Sequence, residues 1–437
     1  MKLVLRKSAI FPPKGNGKKI LFIILWYIFA WGMIGYFNAP KAIVYLGDLI
    51  NFGTFINAIY YKRNHKNIDI SMMFMGVFIF IGILSALRNL ESPLLLFWGL
   101  RNNVRFFLFY YTCTIFLTER HFQYFLKIIK ILFWLSLPLC IYEKYFVTYD
   151  YGTIIGDMVG GIYYGFQGVT PPFNILLVIY CTHIAIKYFD KKCGILSFII
   201  TISSAMTMAA MAELKIFVVE IVIIFLIVMI IKKKSIKTVF ISATGIFAIS
   251  LLVTMFVHMN GQGKDYYTAE IFSIKGMFEI VTRDSGYDGV GDLNRFSGIS
   301  VLKQRYMKDD PIIKLIGLGL GNGEYARFSF FTSDFYVNYS SLHYQWFSSL
   351  FVFLETGFLG LISYLMIFVS GMIQGVRKLH RLSIDFTFYF VMVTIMLIMI
   401  FYGVTMRSEQ SGFILYMILA LPVALEREKK RSDNYDS

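Results

Sequence analysis

Apolar runs of membrane-spanning length recur along the chain, and this repetition constrains the fold more than any single motif. A helix that crosses a bilayer needs about 20 mostly apolar residues. About twelve runs meet this criterion, near 20–37, 42–60, 69–88, 93–118, 122–143, 172–189, 194–211, 215–231, 238–258, 346–370, 384–405 and 411–425. The 437 residues are 57% hydrophobic and only 16% charged, more apolar than a single soluble core can bury. The sequence therefore predicts an all-α polytopic membrane protein.

Clusters of Lys and Arg at alternate connections give the orientation. They occur in residues 1–19, 60–67, 232–237, 375–381 and 426–431. With twelve spans and a cytoplasmic N-terminus, all five clusters lie on the cytoplasmic side, as the positive-inside rule requires. We therefore predict that both termini are cytoplasmic. The net charge of +15 is then a topology signal and does not indicate nucleic-acid binding.

Two long connections fall on the outer face in this topology. They are residues 144–171 and 259–345. Loops of this length are usually functional or disordered, and the second one has amphipathic stretches and glycine-rich turns that favour an ordered, partly helical cap. The predicted organisation is then a bundle of about nine spans over 1–258, the cap over 259–345, further spans over 346–425 and a cytoplasmic tail over 426–437.

The stretch "GLRNNVRFF" places two cations inside an apolar run. Arg101 and Arg105 are four residues apart and so share one helix face. Arginines at such depth usually face a bundle interior or a watery cavity, and a guanidinium suits phosphate. The alternative is a pair of arginines near the interface, snorkelling or paired with Glu91. Both interpretations stay open from the sequence.

Several outer turns carry polar residues with two interpretations each. Asp157 in "IIGDMVGG" and the pair Glu213 and Lys215 in "MAELK" are either simple turn residues or the lining of a cavity mouth. The turn "TMRSEQS" (405–411) is most simply a polar turn between two spans. The glycine run "GLGLGNG" (317–323) lacks the lysine and βαβ context of a phosphate loop, so a tight turn towards the membrane is expected.

The cap contributes further candidates. An amphipathic helix is predicted over 293–311, with Arg295 near its start and Arg305 on the same helix. A cation near a helix N-terminus opposes the helix dipole, which suggests an anionic partner for Arg295. His343 lies at the return to the membrane, either as an interfacial residue of the aromatic belt or as a proton acceptor near neutral pH.

The stretch "LETGFLG" (354–360) follows this histidine. Glu355 is twelve residues beyond His343, about 18 Å along a continuous helix. It is therefore expected to have a structural role unless the helix breaks. Gly357 and Gly360 are expected to permit close helix packing.

The order of these elements resembles the O-antigen polymerase and ligase family of polysaccharide assembly. The resemblance rests on "RFSGI" (295–299), then "LIGLGLGN" (315–322), then His343, then "LETGFLG" (354–360). The stretches "GDMVGGIYYG" and "AELK" are similar to capsule polymerases of this type. A chain with about twelve spans and a late outer cap also fits this family.

This resemblance implies a glycosyltransferase with a GT-C-like architecture in the bacterial inner membrane. It would polymerise undecaprenyl-diphosphate-linked oligosaccharide repeat units at the outer face. Arg295 would stabilise the leaving diphosphate and His343 would accept a proton from the acceptor hydroxyl. Further substrate contacts are assigned to Arg101, Arg105, Arg305, Asp157, Glu213 and Lys215. No cofactor and no metal is expected.

Partners and alternatives follow from the same assignment. The expected partners are the lipid-linked oligosaccharide, the bilayer, and the chain-length regulator and flippase of the same pathway, with no nucleic acid. A ligase that passes the glycan to a different acceptor shares this chemistry. A polysaccharide flippase or transporter is an alternative of a different class, and predicts internal symmetry and polar residues at mid-depth in several spans.

Overall fold

The computed structural model describes residues 15–61, 69–150, 153, 155–163, 168–232, 291–307, 310–326, 328–379 and 386–436. Within these ranges the regular elements are helices and no strand is present. The long helices are α1 (Asn16–Phe37), α2 (Val44–Tyr61), α3 (Ile70–Arg88), α4 (Pro93–Phe116), α5 (Glu119–Tyr145), α6 (Thr170–Phe189), α7 (Ile195–Met211), α8 (Lys215–Ile231), α9 (Ser348–Leu379), α10 (Phe386–Tyr402) and α11 (Glu409–Asp436).

Each of these helices coincides with one of the predicted apolar runs. Seven of the described helices (α1, α2, α3, α5, α6, α9 and α11) are long and apolar enough to cross a membrane. α7 and α10 are apolar but shorter, with 17 residues each. The predicted run at 238–258 and the first part of the cap lie outside the described residues. The fold is therefore that of a helical, multi-pass membrane protein.

The bundle has a buried centre and a lipid-accessible edge. Of the apolar stretch of α6, 83% is buried inside the protein, compared with 28% for α2. α9 packs against α3, α10 and α11, and α4 packs against α2 and α11. Polar contacts between helices reinforce the packing: Ser71 Oγ lies 2.9 Å from Ser370 Oγ, and the Tyr389 hydroxyl donates to Gly371 O at 2.8 Å.

The last helix is longer than predicted. The sequence indicates a span that ends at 425 and a separate tail, but α11 continues to Asp436. Arg427 donates to Leu117 O at 2.7 Å, just beyond the C-terminus of α4. Glu428 accepts from the backbone N–H of Glu119 at 2.9 Å, at the N-terminus of α5. Each charge complements a helix dipole, so the first residues of the predicted tail are tied to the α4–α5 turn.

The cap helix is shorter than the predicted helix over 293–311. A single helical turn, Gly298–Val301, continues as a π-helical turn, Leu302–Tyr306, and a separate helix spans Pro311–Ile316. Leu302 is fully buried, as the amphipathic pattern predicts. Arg295 precedes the first turn by three residues. Arg295 therefore precedes the N-terminus of a helical segment over 298–306, which is shorter than the predicted helix.

The glycine loop, residues 317–323, descends between α3, α4 and α9. Its backbone has φ values of +83° at Gly317, +112° at Gly319 and +103° at Gly321, a region that favours glycine. The loop is attached to both neighbours: Ser85 Oγ of α3 donates to Gly317 O at 2.7 Å, and Leu318 N donates to the carbonyl of Leu354 in α9 at 2.9 Å. The expected tight turn is thus inserted among the helices.

Gly357 breaks α9 where this loop arrives. Its backbone has φ 62° and ψ −163°, a conformation essentially restricted to glycine. A Cβ atom on Gly357 would lie 2.4 Å from the carbonyl carbon of Leu315. The expectation that Gly357 is a helix-packing glycine is wrong: it interrupts the helix and admits the backbone of the cap.

Replacing Gly357 with alanine tests this account. The new Cβ meets backbone atoms that cannot rotate away, and the conformation itself is strained, so we expect Gly357→Ala to lower the free energy of unfolding by about 2–4 kcal/mol. Unfolding of the purified protein in detergent measures the change. Gly76 is the matched control, because a Cβ there meets open space. Equal stability of the two variants would contradict the proposed break.

Candidate functional site

The segments that carry Arg295 and His343 are hydrogen-bonded to each other. The backbone N–H of Leu293 donates to the carbonyl oxygen of Leu342 at 2.9 Å. Each of these residues is within two positions of a predicted catalytic residue. The cap therefore brings the two segments together at the N-terminal end of α9, although 48 positions of sequence separate them.

Arg295 lies over aromatic rings where α9 and α10 meet. Its guanidinium carbon is 3.8 Å from the ring centroid of Tyr402 and 5.7 Å from that of Phe347. Ser348 joins these helix ends, because its N–H and hydroxyl both donate to Gly403 O, at 3.0 and 2.8 Å. A guanidinium stays charged at any ordinary pH, and the rings hold it by cation–π attraction. Arg295 thus places a fixed positive charge at the junction.

His343 is held in an unusual backbone conformation at the same junction. Its φ is 52° and ψ is 26°, in the left-handed region. The imidazole stacks on the indole of Trp346, with ring centroids 3.9 Å apart and an interplanar angle of 4°. The side chain is half-buried. Stacking on the indole therefore fixes the plane of the imidazole ring.

Arg101 and Arg105 are paired with carboxylates on other helices. Arg101 forms an ion pair with Asp48 of α2, and Arg105 forms one with Glu409 of α11. A second contact, 4.0 Å from Arg101 to Glu409, connects the two pairs. The alternative pairing with Glu91 is wrong. Two cations and two anions balance, so the predicted anion site already contains its own anions.

Aromatic and polar side chains complete this arginine cluster. The Tyr27 hydroxyl donates to Asp48 at 2.6 Å and the Trp31 indole N–H donates to Glu409 at 3.2 Å. The guanidinium of Arg101 lies 4.8 Å from the ring centroids of both Tyr45 and Trp98. Helices α1, α2, α4 and α11 are thereby joined through one compensated set of charges.

Glu355 and Arg407 form a second centre, which the sequence did not single out as functional. Glu355 is 1% exposed. Its Oε1 accepts from the backbone N–H groups of Gly321 and Gly323 at 2.9 and 3.3 Å. Arg407 reaches Glu355 Oε2 at 3.9 Å and Glu324 at 2.5 Å. The glycine loop thus resembles an anion-binding loop, but the anion it holds is a side chain of the protein.

The stretches "LETGFLG" and "TMRSEQS" each contain a charged residue that indicates an unidentified partner. An acid buried in an apolar helix needs donors, and an arginine in a short turn between spans needs an acid. The sequence does not show that Glu355 and Arg407 contact each other. The guanidinium of Arg407 also lies 3.4 Å from the ring centroid of Phe351, one turn beyond Phe347, which contacts Arg295.

Glu91 is a third buried carboxyl beside the glycine loop. Cβ atoms added to Gly319 and Gly321 would lie 2.5 and 2.9 Å from its oxygens. Neither oxygen has a hydrogen-bond partner in the described part of the chain. Burial raises the pKa of Glu91 from 4.5 to about 8. At neutral pH this side chain is therefore mainly a neutral acid.

The remaining predicted residues are located elsewhere. Glu213 contacts Lys144 at 3.7 Å, and a Cβ on Gly156 would lie 2.3 Å from the Glu213 carboxyl carbon. Asp157 directly follows Gly156, and Lys215 is two residues after Glu213. The predicted residues Asp157, Glu213 and Lys215 are therefore neighbours. Arg305 is exposed on the π-helical turn of the cap.

Comparison with known proteins adds no family to this description. Neither protein-family models nor curated proteins give a match to the chain. Within the described ranges, no group of three or more His, Cys, Asp or Glu side chains is arranged to hold a metal ion.

The pair Arg105–Glu409 gives a test of the arginine cluster. The two side chains are 9% and 15% exposed. Removing one partner of a buried pair leaves the other charge uncompensated, so we expect Glu409→Gln to cost about 3–5 kcal/mol of stability. Adding Arg105→Gln should recover part of this loss in a double-mutant cycle. Strictly additive effects would contradict the coupling.

The matched control for this cycle is the pair Arg88–Asp310. Both side chains are 34% exposed. An exposed pair contributes at most about 1 kcal/mol, so Asp310→Asn should have a small effect in the same unfolding experiment.

Glu91 predicts a pH dependence of stability. Because its pKa is raised in the folded state, folding favours the protonated form, and stability falls as pH rises from about 4.5 to about 8. We expect the melting temperature of Glu91→Gln to fall less than that of the wild type between pH 5 and 9. Parallel profiles would show that Glu91 is not responsible. In the control, Asp310→Asn, the melting temperature should differ from that of the wild type in its pH dependence only at acidic pH. The reason is that the side-chain hydrogen bond from Arg88 lowers the pKa of Asp310.

Proposed function

We propose that the chain is a polymerase of lipid-linked oligosaccharide repeat units, acting at the outer face of a bacterial inner membrane. In this proposal the bundle has twelve spans, a GT-C-like arrangement and cytoplasmic termini. The cap then lies outside, where a lipid-diphosphate carrier presents its glycan. Support comes from the multi-pass helical bundle, the folded segments of the cap that the structure describes from residue 291 onward, and the order of the motifs that resemble the polymerase and ligase family.

The observation that carries the proposal is the junction of Arg295 and His343. The Leu293–Leu342 hydrogen bond brings a fixed cation and a titratable ring to one corner of the cap. Glycan transfer from a diphosphate carrier needs these two functions. One group must stabilise the charge that develops on the leaving diphosphate, and another must take a proton from the attacking hydroxyl.

The chemical step is a substitution at the anomeric carbon. The acceptor hydroxyl oxygen forms the new glycosidic bond, and the bond from the anomeric carbon to the diphosphate oxygen breaks. The hydroxyl proton goes to the imidazole of His343, and the lipid diphosphate leaves with its electron pair beside Arg295. The sugar arrives activated by its carrier, so no nucleotide is needed.

In this proposal Arg101 and Arg105 do not bind the diphosphate as their main role. Each is engaged by a carboxylate, so a diphosphate would have to displace Asp48 or Glu409. We assign these arginines mainly to holding α2, α4 and α11 in register. Arg295 keeps the role that the order of the motifs gives it, as the cation beside the leaving group.

An assay with purified protein and lipid-linked repeat units tests the function. Loss of a general base typically costs about 10²–10⁴-fold in rate, which is the decrease expected for His343→Ala. Arg295→Ala should lower the rate by about 10²–10³-fold, and Arg295→Lys should restore it only in part, since lysine lacks the planar donor fork. The matched control is Arg377→Ala, an exposed arginine near the C-terminal end of α9, for which we expect a small effect.

The products distinguish the alternatives. A polymerase yields a ladder of joined repeat units, whereas a ligase moves intact glycan to a different acceptor. A flippase leaves the bond unbroken, and its loss traps lipid-linked units on the inner leaflet. Full chain growth by both Arg295→Ala and His343→Ala at normal protein levels would overturn the assignment.

A further inference from the structure

Two phenylalanines of the cap expose more than half of their surface. Phe328 is 55% exposed and Phe330 is 54% exposed. Their rings stack on each other, with centroids 5.4 Å apart. Both belong to the phenylalanine turn, residues 328–331, which contains a short 3₁₀ helix. Two adjacent apolar rings facing water would be unfavourable, so their environment needs an explanation.

The phenylalanine turn lies beside α4 and not above its end. Phe331 stacks on Trp98, with ring centroids 4.8 Å apart and an interplanar angle of 15°. Trp98 is in the second turn of α4, roughly 7.5 Å from Pro93 at 1.5 Å per residue. The glycine loop reaches the same level on α4, because a Cβ on Gly99 would lie 2.3 Å from Gly321 N. Two segments of the cap thus descend to this depth.

The exposed rings continue an apolar surface of the bundle. Leu94 and Phe97, on the first turns of α4, are 50% and 62% exposed, and Leu90 before them is 91% exposed. α4 packs among α2, α3 and α11, each long and apolar enough to cross a membrane. Because these neighbours are candidate membrane spans, we place the exposed apolar surface of α4 at this level on the side of the bundle that faces lipid. Phe328 and Phe330 extend that surface onto the cap.

We propose that the phenylalanine turn inserts among the acyl chains of the bilayer and anchors the cap to the membrane beside α4. The occupant is lipid because the exposed surface is mainly apolar: the rings of Phe328 and Phe330 lie on either side of one small polar side chain, Ser329. A glycan would require several hydrogen-bonding groups among the rings, and the neighbours Leu90, Leu94 and Phe97 supply no polar side-chain atom. Continuity with the lipid-facing surface of the bundle favours acyl chains over a second copy of the chain.

The phenylalanine turn is also connected to the arginine cluster through Trp98. The Trp98 ring stacks on that of Phe331, and the guanidinium carbon of Arg101 lies 4.8 Å from the Trp98 ring centroid. A lipid-anchored turn would therefore hold the cap at a fixed position relative to Arg101. This inference does not rest on the proposed polymerase function, since it requires no substrate.

Site-directed spin labelling in lipid nanodiscs tests the proposal. Cys113, Cys140 and Cys181 are buried, so a Cys193→Ser background gives little labelling of its own. Single variants Phe328→Cys and Phe330→Cys carry the nitroxide. Phe80→Cys, 66% exposed on α3, is the lipid reference, and Asn338→Cys, exposed on the cap, is the aqueous reference. We expect labels at 328 and 330 to collide with oxygen more than with a nickel complex, as at position 80.

Collision mainly with the aqueous nickel complex at both positions would overturn the proposal. So would inaccessibility to both reagents together with spin coupling between molecules, which would indicate a second copy of the chain. If the cysteine variants do not fold, Phe330→Trp keeps an aromatic ring at this site. Lipids brominated in their acyl chains should then quench the added fluorescence, and should not quench that of Asn338→Trp. Absence of quenching at 330 would reject acyl-chain insertion.

Discussion

The turn between α10 and α11 holds two charge networks together, and the cap end of the bundle depends on it. Arg407 binds Glu324 of the cap and Glu355 of α9, while Glu409, two residues later, binds Arg105 of α4. Buried charges are tolerated only when they are paired. Each partner therefore needs this turn in place, which makes the cap, α4, α9 and α11 mutually dependent.

Inserting a glycine loop among membrane helices creates a second requirement, because its N–H groups cannot reach water. Glu355 satisfies those of Gly321 and Gly323. The same solution recurs on α5, where Glu143 accepts from the N–H groups of Gly160 and Gly161 at 2.9 and 2.8 Å. In both places a helix carboxylate holds a glycine-rich connection. The acid and the glycines are 17 and 18 positions apart for Glu143, and 34 and 32 positions apart for Glu355. Neither the acid nor the glycines are informative alone.

Hydropathy predicted the long helices well because a membrane segment must satisfy its own backbone hydrogen bonds, so its length and apolarity are local properties. Side-chain pairing is not local. Arg105 and Glu409 are 304 positions apart, whereas the nearer candidate, Glu91, has no such contact. Gly357 was interpreted as a packing glycine for the same reason: only the approach of Leu315 from the cap shows that it breaks the helix. The catalytic roles of Arg295 and His343 stay predictions.

Four arginines at this end are each positioned by neighbouring side chains. Arg101, Arg105 and Arg407 each contact carboxylates that neutralise them inside the bundle. Arg295 lies on the rings of Tyr402 and Phe347, on the cap side of the same helix ends. Aromatic rings orient a guanidinium without cancelling its formal charge. In the proposed reaction, a diphosphate at Arg295 would therefore meet a guanidinium that Tyr402 and Phe347 already orient, next to the segment that holds His343. Arg101, Arg105 and Arg407 would keep the helices beneath it in place.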